Sequence, residues 1–265
     1  MTLLAIALVL LQAGQPVAPP SGEAIVRAAY ARYAGKWPRT ITYVQRTEDM
    51  GTDRPQTWYT ALELPGKLRI DIAPMGVGRA LITHGDSSFG YGAGQLRSVM
   101  RQTNPLLLLL HDLHTQAPER TITTLKELSF DLARSHEDSW IGRPMLVVGA
   151  GKGDSVSNQF WFDKERMVVV RLLYNRRAFE ARIAQYQRFG GGWIEGAVET
   201  WNKGQLVRVQ QNTDIKTGMK HEAGLFDPST YKVPKWVGAL VDSFGKVPPV
   251  PPGGFRRGGR GSSGG

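Results

Sequence analysis

The sequence predicts an α+β fold dominated by one curved antiparallel sheet of about 10–12 strands. Period-two apolar runs recur at short spacing and are separated by Pro-Gly, Gly-Asp and Asn-Lys-Gly turn signals. Helical periodicity is confined to the start and the middle of the chain, which disfavours alternating βα units. With 265 residues and 41% hydrophobic composition, one large domain can bury a sizeable core.

The first helix is predicted over Gly22 to Tyr33, where Ile25, Ala28, Ala29 and Tyr33 fall at helical spacing. Ser21 is available as its N-cap, and Gly35 lies just past its end. Strands follow at Thr40 to Arg46, Thr57 to Leu64 and Lys67 to Ile72, the last two joined by Pro65-Gly66 as a hairpin. Arg79 to His84 and Ser88 to Tyr91 form another pair around Gly85-Asp86, and Gln95 to Met100 continues the meander. Asn104-Pro105 then opens LLLLLHDLH, with Asn104 as N-cap and Pro105 at the first helical position, where its missing N–H costs nothing.

A short helix is expected around Glu119 to Glu127. Strands resume at Phe130 to Arg134, Pro144 to Val148, Asn158 to Phe162, Met167 to Tyr174, Phe179 to Phe189, Gly196 to Trp201 and Leu206 to Gln211. The end, VPPVPPGGFRRGGRGSSGG, lacks periodicity and cannot bury apolar surface, so residues 246–265 read as a disordered Pro/Gly/Arg-rich tail after a domain spanning 21–245.

Residues 1–20 read as a secretory signal: Leu3 to Leu11 is an unbroken apolar run of nine residues, followed by small and turn residues, with no charge before Glu23. The run is too short for a membrane-spanning helix. Cysteine is absent, which excludes disulfides, thiolate metal sites and a lipidated cysteine. An exported chain of this kind is held by core and sheet alone, which fits a bacterial periplasm. The formal charge is +10, four of which belong to the tail. Net charge alone does not choose between nucleic acid, anionic lipid and an acidic partner, but export argues against nucleic acid. The tail's Arg256-Arg257-Gly258-Gly259-Arg260 resembles RNA-binding segments, and its preferred reading is a solvated arm touching anionic envelope surfaces.

Catalytic signatures are not found: HExxH and G-x-S-x-G are absent, and Gly149 to Gly153 lacks the spacing of a phosphate loop. His111 and His114, three apart on the leucine-rich helix, can reach one metal only if a carboxylate converges from a strand; the sequence shows no third ligand, and no metal or cofactor is expected. The acids Glu48, Asp49, Glu137 and Asp138 are expected in solvated turns. Leu106 to Leu110 is apolar all round, so that helix is either a core plug or a lid over a cavity. Trp58, Trp161 and Trp201 lie within strands and either line such a cavity or, as such residues more often do, simply fill a core.

The order of leader, N-terminal helix, hairpins, apolar helix after Asn-Pro and further hairpins resembles the outer-membrane lipoprotein-sorting (LolA-like) family over about residues 22–235. The matching stretches are Ile25 to Tyr33, TWYTALELPGKLRIDI, NQFWFDKERMVVVRLLYN, and Leu225-Phe226-Asp227-Pro228 followed by Tyr231-Lys232-Val233-Pro234. The resemblance implies an incomplete antiparallel β-barrel whose open face is covered by helices and which holds lipoprotein acyl chains or other lipids without catalysis. The expected lining is Ile41, Tyr43, Trp58, Leu68, Ile70, Phe160 and Phe162 from the strands, with Leu106, Leu107 and Leu110 from the lid. A one-residue register error would invert the strand set. The implied partners are an acylated lipoprotein or lipid and inner- or outer-membrane proteins, bound by a monomer. An envelope sensor or structural module of the same fold, binding a protein partner, is the alternative.

Overall fold

The computed structural model describes residues 19–229 and 231–239. The signal expected over 1–20 (but for its last two residues) and the tail lie outside them. Helix α1 (Gly22–Tyr33) leads into a six-stranded meander: β1 (Thr40–Asp49), β2 (Gln56–Glu63), β3 (Lys67–Ile72), β4 (Arg79–His84), β5 (Ser87–Gly92) and β6 (Gln95–Arg101). Helix α2 (Pro105–Leu110), a 3-10 turn (Asp112–His114) and α3 (Pro118–Glu127) carry the chain across to β7 (Ser135–Trp140). From there β8 (Arg143–Val148), β9 (Gln159–Asp163), β10 (Val169–Tyr174) and β11 (Phe179–Ala184) return toward the start. The small hairpin β12 (Gln187–Phe189) and β13 (Gly192–Ile194) interrupts them before β14 (Ala197–Asn202) and β15 (Gln205–Thr217).

Thirteen of these strands form one antiparallel sheet in the order β6-β5-β4-β3-β2-β1-β15-β14-β11-β10-β9-β8-β7. The two meanders are thus sewn together by β15 against β1, while β6 and β7 remain as edges, so the sheet does not close into a barrel. This is the incomplete barrel with helices over one face that the resemblance implies.

Register explains which face the helices cover. Ile41, Leu62 and Leu68 are cross-strand partners, as are Val148, Phe160, Leu172 and Ala181. These rows share one core cluster with Ile25, Val26, Ala29 and Tyr33 of α1 and with Leu107 to Leu110 and Leu113. Strand side chains alternate between faces, so the intervening residues lie outside. There Val44, Tyr59 and Ala61 are covered by Val237, Leu225 and Phe226 of the C-terminal segment.

Helix α1 begins where Ser21 Oγ accepts the Ala24 N–H at 3.3 Å. Its first residue has to be glycine, since a Cβ on Gly22 would lie 2.8 Å from the Leu132 carbonyl oxygen and 2.5 Å from Val148 Cγ1. Among the described residues no helix is long and apolar enough to cross a membrane.

Several expectations need correction. Phe130 to Arg134 is not a strand. Phe130 and Leu132 are buried with the alternation of one, but Asp131 accepts the Ala133 N–H at 3.1 Å and turns the chain into the start of β7. Glu137 and Asp138 therefore lie on an edge strand rather than in a turn, and Glu48 and Asp49 end β1. An edge with polar residues on both faces carries no apolar period to read. The single strand expected over Phe179 to Phe189 is broken at Gln185, whose φ is +55°; Gly196 lies against it, a Cβ there falling 2.6 Å from the Gln185 carbonyl. The leucine-rich helix is only six residues long before it tightens into the 3-10 turn.

Candidate functional site

The segment 105–114, which the sequence allows as a core plug or a lid, packs on the inner face with Leu107 to Leu110 and Leu113 in the core cluster. Asn104 Oδ1 caps it, accepting the N–H groups of Leu106 and Leu107 at 3.0 and 3.2 Å. Leu107 to Leu110 are all buried, as an all-round apolar helix demands. Replacing Asn104 with alanine is expected to cost about 1 kcal/mol and to speed amide exchange across 105–110 more than elsewhere, which hydrogen-exchange mass spectrometry would show.

Polar tethers hold the lid at its C-terminal end. Asp112 Oδ1 accepts the Gly66 N–H of the β2-β3 turn at 2.9 Å, and Thr115 O accepts from Arg39 Nη1 at 2.7 Å. His111 Nε2 lies 3.4 Å from Glu195 Oε1, both side chains being almost fully buried. His114 is stacked on Trp37 at 4.0 Å between ring centroids and meets Tyr33 edge-on at 5.1 Å. The lid's underside is therefore an island of histidine, carboxylate and aromatic groups inside an otherwise apolar interior. His111 Nδ1, Glu195 Oε2 and Trp37 Nε1 have no hydrogen-bond partner among the described residues. Each such group offsets roughly 1–3 kcal/mol of the apolar burial around it.

Burial sets the electrostatics. It holds His114 down to about 3, so the ring is neutral at ordinary pH. It pushes the Tyr43 phenol well above its usual range, helped by the Glu195 carboxylate beside it. Tyr186 is raised for the same reasons. Asp112 is raised to about 6, mainly by burial and against the pull of the Gly66 N–H. In the unfolded chain this carboxyl titrates near ~4, so between the two values the folded state holds a proton that the unfolded state has released. Asp112 thus favours folding fully below ~4 and loses that contribution as pH rises through about 6. Urea unfolding of Asp112→Asn is expected to show a smaller stability difference between pH ~5 and ~7.5 than wild type.

A cleft of about 730 Å³ opens beside the lid. The turns at 65–67 and 84–86 form one wall and α3 the other, with the buried Leu108 and Asp112 at its floor.

Of the expected lining residues, Ile41, Tyr43, Leu68, Leu107, Leu110, Phe160 and Phe162 belong to the inner core cluster, and Ile70 and Leu106 pack against it. They share one cluster, in which Leu107 to Leu110 and Leu113 also sit. Trp58 shares the inner face but stands outside that cluster, with the Arg208 guanidinium 4.7 Å from its ring centroid. Trp161 and Trp201 face outward: Trp161 pairs with Val147 and Arg171, and Trp201 with Glu180. Together with Trp140 they stack on Arg171 and Arg182, the ring-to-guanidinium distances running from 4.0 to 5.5 Å. Sequence reading missed Glu195, which falls in a short link between two strands and carries no periodic signal. His111 and His114 do not gain a third ligand: among the described residues no group of three His, Cys, Asp or Glu can hold a metal ion.

No protein-family profile and no curated protein matches the chain. Solved structures do. A domain from Vibrio parahaemolyticus assigned to outer-membrane lipoprotein sorting superposes with a TM-score of 0.51 at 16% identity, covering 78% of this chain and 96% of its own. A DUF1329 family protein from Desulfovibrio piger gives 0.50 at 12% identity, with 78% and 95% covered. A LolA superfamily protein from Nitrosomonas europaea gives 0.45 at 11% identity, with 76% and 96% covered. At these identities the likeness is one of fold: the chain has the LolA-like fold, an unclosed antiparallel barrel with its helices on the inner face.

Proposed function

We propose that the protein is a periplasmic, non-catalytic carrier or binding protein that takes an acyl chain, from a lipoprotein or another lipid, into the space the lid now fills. The observation that carries this reading is the segment 105–114 itself, a six-residue leucine helix seated on an apolar sheet face and lying over buried groups that have no hydrogen-bond partner among the described residues. Burying acyl methylenes contributes about 0.8 kcal/mol each, so a few displaced leucine contacts are readily replaced. Such a site needs no reactive group. The expected domain of 21–245 and the export signal fit this role, as does the lipoprotein-sorting assignment of the Vibrio domain.

The test is native mass spectrometry of the mature protein from its own envelope, followed by titration with a fluorescent fatty acid. A co-purified lipid or acylated peptide, or saturable uptake, supports the carrier. A clean apo mass with no uptake would favour an envelope module that binds a protein partner through the same fold.

A further inference from the structure

Strand β6 is the free edge of the sheet beyond β5, and all seven of its residues are exposed. Among the described residues no backbone hydrogen bond reaches 95–101 from outside its ladder with β5. That ladder is regular from Arg101 back to Ser98 and bulges at Arg97, so one row of N–H and C=O groups in strand geometry faces solvent. Proteins normally guard such an edge. The opposite edge, β7, is guarded: Asp138 Oδ1 takes the Ser139 backbone N–H at 2.7 Å, Glu137 is paired with Lys164, and no large apolar side chain of 135–140 is exposed. Strand β6 instead exposes Leu96, Val99 and Met100 at 48, 47 and 57%. Pairing places Leu96 and Val99 beside Tyr91 and Phe89 of the outer face. Met100 lies beside Ser88, whose row runs through Thr83 to Leu68 on the inner face. An added strand would thus meet apolar groups on both of its faces. The only charges on β6 are Arg97 and Arg101, and the chain has no acid between Asp86 and Asp112.

We propose that β6 accepts an extended, acidic segment of a partner protein as an added strand. Unpaired backbone groups in strand geometry are answered by another polypeptide in the same geometry. Carboxylates on the added strand meet Arg97 and Arg101, and apolar side chains between them cover Leu96, Val99 and Met100. A second copy of this chain fits less well. Two β6 strands would bring four guanidiniums together without an acid, and β7 already uses Glu137, Asp138 and the Ser139 N–H within its own fold. The surface lies at the sheet's edge and is independent of what the inner face holds.

The test is hydrogen-exchange mass spectrometry of the full chain with three synthetic octapeptides: one alternating glutamate and valine, its lysine-valine counterpart, and an N-methylated form of the acidic peptide that cannot complete a ladder. The acidic peptide is expected to slow exchange across 95–101, and not across β7, saturating below ~1 mM, with the other two at least roughly tenfold weaker. Reversing both charges, Arg97→Glu with Arg101→Glu, is expected to invert the preference toward the lysine-valine peptide. The exposed control pair Lys152→Glu with Arg188→Glu is expected to behave as wild type. No protection up to ~10 mM acidic peptide, equal protection by the basic or N-methylated peptide, or protection mapping away from β6 would each overturn the proposal. Light scattering of the peptide-free protein is run alongside, and a dimer with 95–101 already protected would overturn it in favour of a second copy.

Discussion

Replacing Arg69 with methionine is expected to cost about 3–5 kcal/mol of unfolding free energy, because it strands a buried carboxylate. Arg69 and Asp71 are almost fully enclosed on the outer face, with Nε and Nη2 donating to the two Asp71 oxygens at 2.7 and 2.9 Å. The same guanidinium donates to the carbonyls of Leu225 and Lys232, tying the C-terminal segment to the sheet. Burial already pushes the Asp71 pKa upward, with Arg69 as the main opposing influence. Without Arg69 the carboxyl is raised further. A folded-state pKa above the unfolded one gives stability that is present at low pH and lost as pH rises through it. The loss in Arg69→Met is therefore expected to be larger at neutral than at mildly acidic pH. Urea unfolding at two pH values reads both effects. Adding Asp71→Asn to Arg69→Met is expected to recover part of the stability; a cost below ~1 kcal/mol would mean the pair is structurally idle.

Phe160→Ala is expected to cost about 3–5 kcal/mol and at the same time to increase uptake of apolar ligands. Phe160 is fully buried, with Phe130 and Phe162 edge-on at 5.3 and 5.6 Å and Val148 and Leu172 as cross-strand neighbours. Removing the ring leaves a void lined by apolar groups, and such voids bind small hydrophobic molecules. Chemical denaturation gives the first quantity and fluorescent fatty-acid titration the second. A matched truncation on the outer face, Val147→Ala, is expected to destabilise without raising uptake, since Val147 packs with Met145, Trp161 and Val170.

The strands that were legible in the sequence are those with one buried face and a sharp turn beside it. TWYTALELPGKLRIDI was read nearly to the residue because Leu62, Leu68 and Ile70 point one way and Pro65-Gly66 fixes the register. Caps were equally legible, since Ser21 and Asn104 each place a side-chain oxygen where free helix N–H groups need one. Edge strand β7 was missed because it has no buried face to impose a period. Phe130 to Arg134 misled for the converse reason, burying alternate side chains in a turn. Trp161 could be offered for the cavity beside Phe160 and Phe162 because pattern does not say which face points inward, and alternation allows only one of the two sets to face the helices. Glu195 was beyond reach of pattern, because its environment is assembled from the lid, β1 and a strand link far apart in the chain.

The most direct test of the central claim is paramagnetic NMR with a fatty acid carrying a nitroxide midway along its chain. If acyl chains enter beneath the lid, methyl signals of Ile41, Leu68, Leu107 and Leu172 broaden while those of Val44 and Val147 on the outer face stay sharp. Broadening confined to the outer face, or none at saturating ligand, would contradict it.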